Sequence, residues 1–158
     1  MYYSAMTISC RPAVPLEDLA HAGPDEGTVA AIMEAAGIIE RRLESVLEGV
    51  GLSISKFDAI EKLIQAGEPL TLGDLASELR CVRSNVTQLV DRLEAEGLVK
   101  RGACPNDRRA VRAMVTPVGV ERHAAGVTAI RSVQAEIARR LGAGDRAALT
   151  KLLGRIAD

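Results

Sequence analysis

Apolar residues recur every three or four positions from Thr28 to Gly49: Val29, Ile32, Met33, Ala36, Ile39, Leu43 and Val46, with Val50 following, form one stripe. That spacing predicts an amphipathic helix, ended by Gly49 and Gly51. A second helix is expected from Ser53 or Ser55, with Phe57, Ile60, Leu63 and Ile64 inward and Gly67 and Pro69 closing it. Thr71 followed by Asp74 is a capping-box-like start for a third helix through Leu79. A fourth helix is expected from Val82 to Glu96, with Val86, Leu89, Val90 and Leu93 at the spacing of a buried face and Gly97 as its stop. Two strand-like runs follow, Leu98 to Ala103 and Val111 to Thr116, around a loop from Cys104 to Ala110 that holds Pro105, Asn106 and Asp107. Thr116-Pro117 opens another helix, striped by Val120, Ala124, Val127, Ile130, Val133, Ile137 and Leu141. Gly142 and Gly144 are expected to break it before a last helix carrying Leu149, Leu152, Leu153 and Ile156. Residues 1–26, with Pro12, Pro15 and Pro24, hold no sustained period and read as an N-terminal arm.

A short helix, a tight turn, a second helix and a two-stranded wing describe a winged helix-turn-helix. The fold class expected is mainly α with a small β-wing. A regulator domain of residues 27–158 divides into a DNA-binding lobe at about 53–116 and long helices at about 28–49 and 117–157. The long helices carry more apolar surface than so small a lobe covers. A two-fold homodimer is the commonest way to bury it.

Charge sharpens the picture. From Arg80 to Arg112 stand eight basic residues (Arg80, Arg83, Arg92, Lys100, Arg101, Arg108, Arg109, Arg112) against four acidic ones (Asp91, Glu94, Glu96, Asp107). The window is therefore +4 in a chain whose net charge is −1. A basic patch on an acidic body is the footprint of a polyanion binder. With one Phe, two Tyr and no Trp, the chain lacks the aromatic platforms that single-stranded nucleic acid needs, so double-stranded DNA is the expected partner. No apolar run approaches the roughly 18 residues of a membrane span, and no basic start leads an apolar stretch as in a signal peptide. Cys10, Cys81 and Cys104 match neither a disulfide framework nor a zinc spacing, which points to a reducing, cytoplasmic setting. No glycine-rich phosphate loop, carboxylate pair or metal cluster is evident, so neither an enzyme nor a cofactor is expected.

The run LASELRCVRSNVTQLVDRLEAEGLVKRGACPNDRRAVRAMVTPVG resembles the MarR-type (multiple antibiotic resistance regulator) family of bacterial transcription regulators. VTQLVDRLEAEGLVKR, the wing segment DRRA, and Thr116 to Gly119 are its most specific parts, and the helix order fits over roughly residues 28 to 157. The resemblance implies a homodimer joined by its terminal helices, one helix of each protomer in a major groove and a wing near the minor groove. It also implies a repressor released by a small-molecule effector or an oxidant. Two positions depart from the family pattern. Arg80 stands where a glycine is usual, leaving a turn without a left-handed residue open to this chain. Val82 replaces the usual serine cap, a loss of about 1 kcal/mol at the helix start, unless Ser84 begins the helix later.

Arg83, Ser84, Asn85, Thr87 and Gln88 fall at the N-terminal end of the fourth helix, outside its apolar face. Arg reads guanine, and Asn or Gln reads adenine, by paired hydrogen bonds; Ser84 and Thr87 suit phosphate. Arg109 is the expected minor-groove residue, Asp107 an acid that pairs with an arginine to shape the wing, and Arg108 and Arg112 phosphate contacts. Arg92 is assigned either to phosphate or to bracing the wing. Cys81 and Cys10 are the candidates for redox sensing, against the commoner fate of a lone cysteine as an inert apolar residue. Met33, Phe57 and His123 are candidates to line an effector pocket, yet core packing explains Met33 and Phe57 equally well, and His123 reads as an ordinary surface or interface histidine. The competing function is a winged helix that binds protein, which the polar, arginine-bearing reading face disfavours. A thiol-switched regulator is a variant of the main reading.

Overall fold

The computed structural model describes residues 24–104 and 107–157, and of 24–26, 103–104, 107–110 and 157 the backbone alone. Helix α1 spans Pro24–Glu48, α2 Ile54–Ala66, α3 Leu72–Glu78 and α4 Arg83–Ala95. Strand β1 (Leu70–Thr71) precedes α3; β2 (Val99–Cys104) and β3 (Asp107–Val115) follow α4; α5 (Pro117–Leu141) and α6 (Ala143–Ala157) complete the chain. The fold is mainly helical with a small antiparallel sheet, as expected.

Local chemistry accounts for most boundaries. Ser53, not Ser55, caps α2: its hydroxyl accepts from the Lys56 N–H at 3.3 Å. Gly67 ends α2 in the left-handed conformation. Thr71 caps α3, accepting from the Asp74 N–H at 3.1 Å and donating to the Asp74 carboxylate at 2.7 Å. Thr116 caps α5, with Pro117 at the first helical position. Helix α1 starts four residues earlier than its apolar stripe, at Pro24, so the last residues of the expected arm are helical. Proline suits a first helical turn, and Asp25 and Glu26 suit the positive end of the helix dipole. The remainder of the arm lies outside the described residues.

Three further boundaries depart from expectation. Gly142 separates α5 from α6 at φ 59°, but Gly144 lies inside α6, where the hydrogen-bonded ladder tolerates it. Strand β3 begins at Asp107, inside the stretch read as loop, because pairing with β2 carries the ladder out to Cys104 opposite Asp107. The two-residue β1, too short to carry a periodic signal, adds to the other edge, so that β3 is central: Leu70 pairs with Ala113, and Thr71 with Arg112.

The core joins the lobe to the long helices. Leu47 of α1, Ile60 of α2, Leu75 of α3, Val90 and Leu93 of α4 and Leu98 before β2 are all buried. Helix α2 is packed by α1, α3, α4, α5 and β3. Phe57, Asp58, Ala59 and Ile60 are consequently buried in succession, so the carboxylate of Asp58 is enclosed along with its apolar neighbours. Met33, by contrast, is exposed on α1 and belongs to no core within one chain.

Candidate nucleic-acid interface

The turn into α4 is built on Arg80. Its N–H donates to the Ser77 carbonyl at 3.1 Å, and the Cys81 N–H donates to the Ala76 carbonyl at 3.0 Å. That pair of bonds satisfies the last carbonyls of α3 in a Schellman arrangement and requires a left-handed residue between them. Arg80 supplies it at φ 51°, so a turn without a left-handed residue is not what forms. For a residue with a Cβ this conformation costs about 1–2 kcal/mol. Val82 is then the extended N-cap of α4 with no side-chain cap bond, and the helix begins at Arg83 without waiting for Ser84.

From that start, α4 divides cleanly. Val86, Val90 and Leu93 are buried and Leu89 is half-buried. Arg83, Ser84, Asn85, Gln88 and Arg92 are exposed together on the outward side. Thr87 is half-buried, and its hydroxyl donates to the Arg83 carbonyl at 3.0 Å, so this donor is engaged within its own helix. Asp107, Arg108 and Arg109 lie on the first residues of β3, where the wing turns back; their side chains are outside the described residues. Arg112 sits on the central strand between Thr71 and Gly102, half-buried, with its Nε enclosed and without a protein partner. Cys81 is exposed immediately before Val82; Cys10 is outside the described residues.

Arg101, which had no role beyond its charge in the sequence reading, joins wing to helix. Its Nη2 lies 2.6 Å from Asp91 Oδ1 and donates to the Thr87 carbonyl at 3.2 Å. Its backbone N–H donates to Glu94 Oε1 at 2.9 Å. The bracing role considered for Arg92 thus belongs to Arg101. The third acid of the helix end, Glu96, pairs with Lys56 of α2 at 2.5 Å. The three acids between Arg80 and Arg112 whose side chains are described, Asp91, Glu94 and Glu96, are therefore all held in ion pairs. Arg80, Arg83, Arg92 and Lys100 make no ion pair among the described residues, so the start and outer side of α4 present cations free to meet a polyanion.

A second cluster lies behind the lobe. His123 of α5 stacks on Phe57 with ring centroids 4.6 Å apart and planes inclined by 15°. It is half-buried with its Nε2 enclosed and unpartnered, rather than an ordinary surface histidine. Burial lowers its pKa, opposed by the nearby Glu61 carboxylate. Asp58 is pushed the other way, up to about 7, first by burial and then by Glu61, with Lys62 opposing. Among the described residues no group of three His, Cys, Asp or Glu side chains could hold a metal ion, and no helix is long and apolar enough to cross a membrane.

Comparison with known proteins places this geometry. Residues 52–111 match the model of the MarR family. An uncharacterized HTH-type transcriptional regulator of Bacillus subtilis, YsmB, is 29% identical over 89 residues, 56% of this chain and 60% of its own length. The chain spans about half the length of the curated relatives it matches, from 44% to 60%. Among solved structures, the transcriptional repressor CouR bound to a 23-mer DNA duplex superposes with a TM-score of 0.71 at 25% identity, covering 82% of this chain and 91% of CouR. A MarR-like transcription regulator from Bacillus cereus ATCC 10987 shares the fold with a TM-score of 0.75 at 20% identity, covering 84% and 95% of the two chains. The winged helix-turn-helix of residues 52–111 is thus the part of this chain that matches the MarR family.

Proposed function

We propose that this protein is a transcriptional regulator that binds double-stranded DNA sequence-specifically, α4 entering the major groove and the β2–β3 wing following the backbone toward the minor groove. One observation carries the reading: Arg83, Ser84, Asn85 and Gln88 stand exposed together at the start of α4, flanked by cations without ion-pair partners. These are side chains that read base edges and phosphates. CouR, which shares the fold, is a transcriptional repressor bound to a 23-mer DNA duplex, and this supports duplex DNA as the partner. Arg109 is proposed as the minor-groove residue, Arg108 and Arg112 as phosphate contacts, and Asp107 as the acid that shapes the wing.

The experiment is selection of bound sites from random duplexes, followed by anisotropy titration at several salt concentrations. Gln88→Ala and Arg109→Ala are each expected to weaken specific binding by about tenfold, within the 1–3 kcal/mol of a base contact, while the parent shows a steep fall with salt. Unchanged affinity in both variants would remove the assigned reading surface.

The acting unit is proposed to be a homodimer on a palindromic operator. Val29 and Met33 on α1, and Leu149, Leu152, Leu153 and Ile156 on α6, are exposed in the single chain. The two exposed stripes lie on helices of opposite charge: α1 carries six acidic and two basic residues, and α6 three basic and one acidic. Sedimentation equilibrium is expected to return twice the chain mass of 16.8 kDa; a monomer at micromolar concentration contradicts the proposal. Repression, and release by a small-molecule effector or an oxidant, complete the reading as the family's usual mode of action. The protein is proposed to act in the cytoplasm and without catalysis.

A further inference from the structure

The polar reading face of α4 begins with an apolar residue. Val82 is 64% exposed, in extended backbone at φ −70° and ψ 142°. A Ser, Thr, Asp or Asn at this N-cap would accept a helix N–H and favour the helix about fivefold. The chain forgoes that cap and leaves a β-branched apolar group in water, although the other valines of this helix, Val86 and Val90, are buried. The backbone that presents it is held on both sides. Arg80 and Cys81 are hydrogen-bonded to α3, and the Val82 carbonyl accepts from the Asn85 N–H at 3.1 Å. A β-branched side chain is also stiff at χ1, so little freedom is lost when it is covered.

We propose that Val82 is a specificity-determining residue that packs against the C5-methyl group of a thymine in the major groove. The inference rests on the DNA-binding reading and deepens it. Apart from Cys81, the exposed residues around Val82 are Arg80, Arg83, Ser84 and Asn85, a basic and polar set that suits a polyanion rather than an apolar protein surface. Within a major groove the apolar group on offer is the thymine methyl, and the first residues of a recognition helix are the ones that reach base edges. Contact there returns to Val82 the apolar cover it lacks in the free chain.

The test uses the full chain and a duplex selected from random DNA. Each thymine is replaced in turn by deoxyuridine, which deletes the methyl and leaves base pairing unchanged. At one position per half-site, parent affinity is expected to fall about three- to fivefold, the value of one methyl removed from contact. Val82→Ser restores a helix cap, keeps the fold by circular dichroism, and is expected to bind the thymine and deoxyuridine duplexes equally. Deoxyuridine without effect at every position overturns the methyl contact, as does a Val82→Ser protein that still discriminates; in both cases DNA binding itself stands. Failure to bind any duplex overturns both this contact and the reading beneath it.

Discussion

Gly119→Ala is expected to destabilise the protein by about 3 kcal/mol or more, the upper end of what overpacking costs, even though the same change in an open helix is favourable. Gly119 lies in the first turn of α5, and its N–H donates to the Thr116 hydroxyl oxygen at 3.1 Å. A Cβ added there would overlap the Leu98 carbonyl oxygen and sit 2.9 Å from Val115 Cγ2. The carbonyl cannot withdraw cheaply. It accepts from the Thr116 N–H at 3.0 Å, and Leu98 is itself buried. The Thr116 hydroxyl also donates to the Gly97 carbonyl at 2.7 Å, so one threonine ties the end of α4, the start of the wing and the start of α5. Gly154 is the control. It is inside α6 with nothing within 4 Å of an added Cβ, and Gly154→Ala is expected to gain about 0.5–1 kcal/mol. Urea midpoints of the two variants should move in opposite directions. A Gly119→Ala protein as stable as the parent would show that the α4–α5 junction is looser than its hydrogen bonds imply.

The second large effect is a dependence on pH. Asp58 is 5% exposed, and its carboxyl titrates near 7 in the folded chain against 3.8 for a free side chain. The folded state therefore holds a proton that the unfolded state releases. This group costs nothing below pH 3.8; its penalty grows as pH rises toward 7 and is complete above it. At about 1.4 kcal/mol per unit, the penalty reaches a few kcal/mol. Asp58→Asn keeps the shape and removes the charge. Its melting temperature is expected to exceed that of the parent by roughly 5–10 °C at pH 8, with the gain fading to nothing near pH 4. His123 titrates in the opposite sense: its pKa is lowered by burial, so acid weakens both proteins alike and cancels in the difference. A gain that did not vary between pH 4 and pH 8 would mean Asp58 is already solvated in the folded state.

Much of this molecule was legible in local chemistry. Ser53, Thr71 and Thr116 cap helices through hydrogen bonds that span three residues, and a sequence shows such distances directly. The outward residues of α4 were legible for a related reason: Val86, Val90 and Leu93 repeat at the helical period, so Arg83, Asn85 and Gln88 fall outside the buried face. The Arg101 brace was not legible, because its partners lie seven to fourteen residues away on a different element. The stack of His123 on Phe57 spans still more of the chain and needs α2 and α5 side by side.

The sequence by itself determined the order of the helices and of the two wing strands, the caps of α3 and α5, the basic window and the polar face at the start of α4, because each depends on period or short spacing. Tertiary structure decided what depends on neighbours from elsewhere in the chain. It surrounded α2 and so enclosed Asp58, and it brought Arg101 to Asp91 and Glu94, while Arg80, Arg83, Arg92 and Lys100 stay without ion pairs among the described residues. At the turn, the last carbonyls of α3 required partners, and satisfying them held Arg80 in a conformation its own side chain disfavours. The same closure set Val82 in the open, at the head of the face proposed to read DNA.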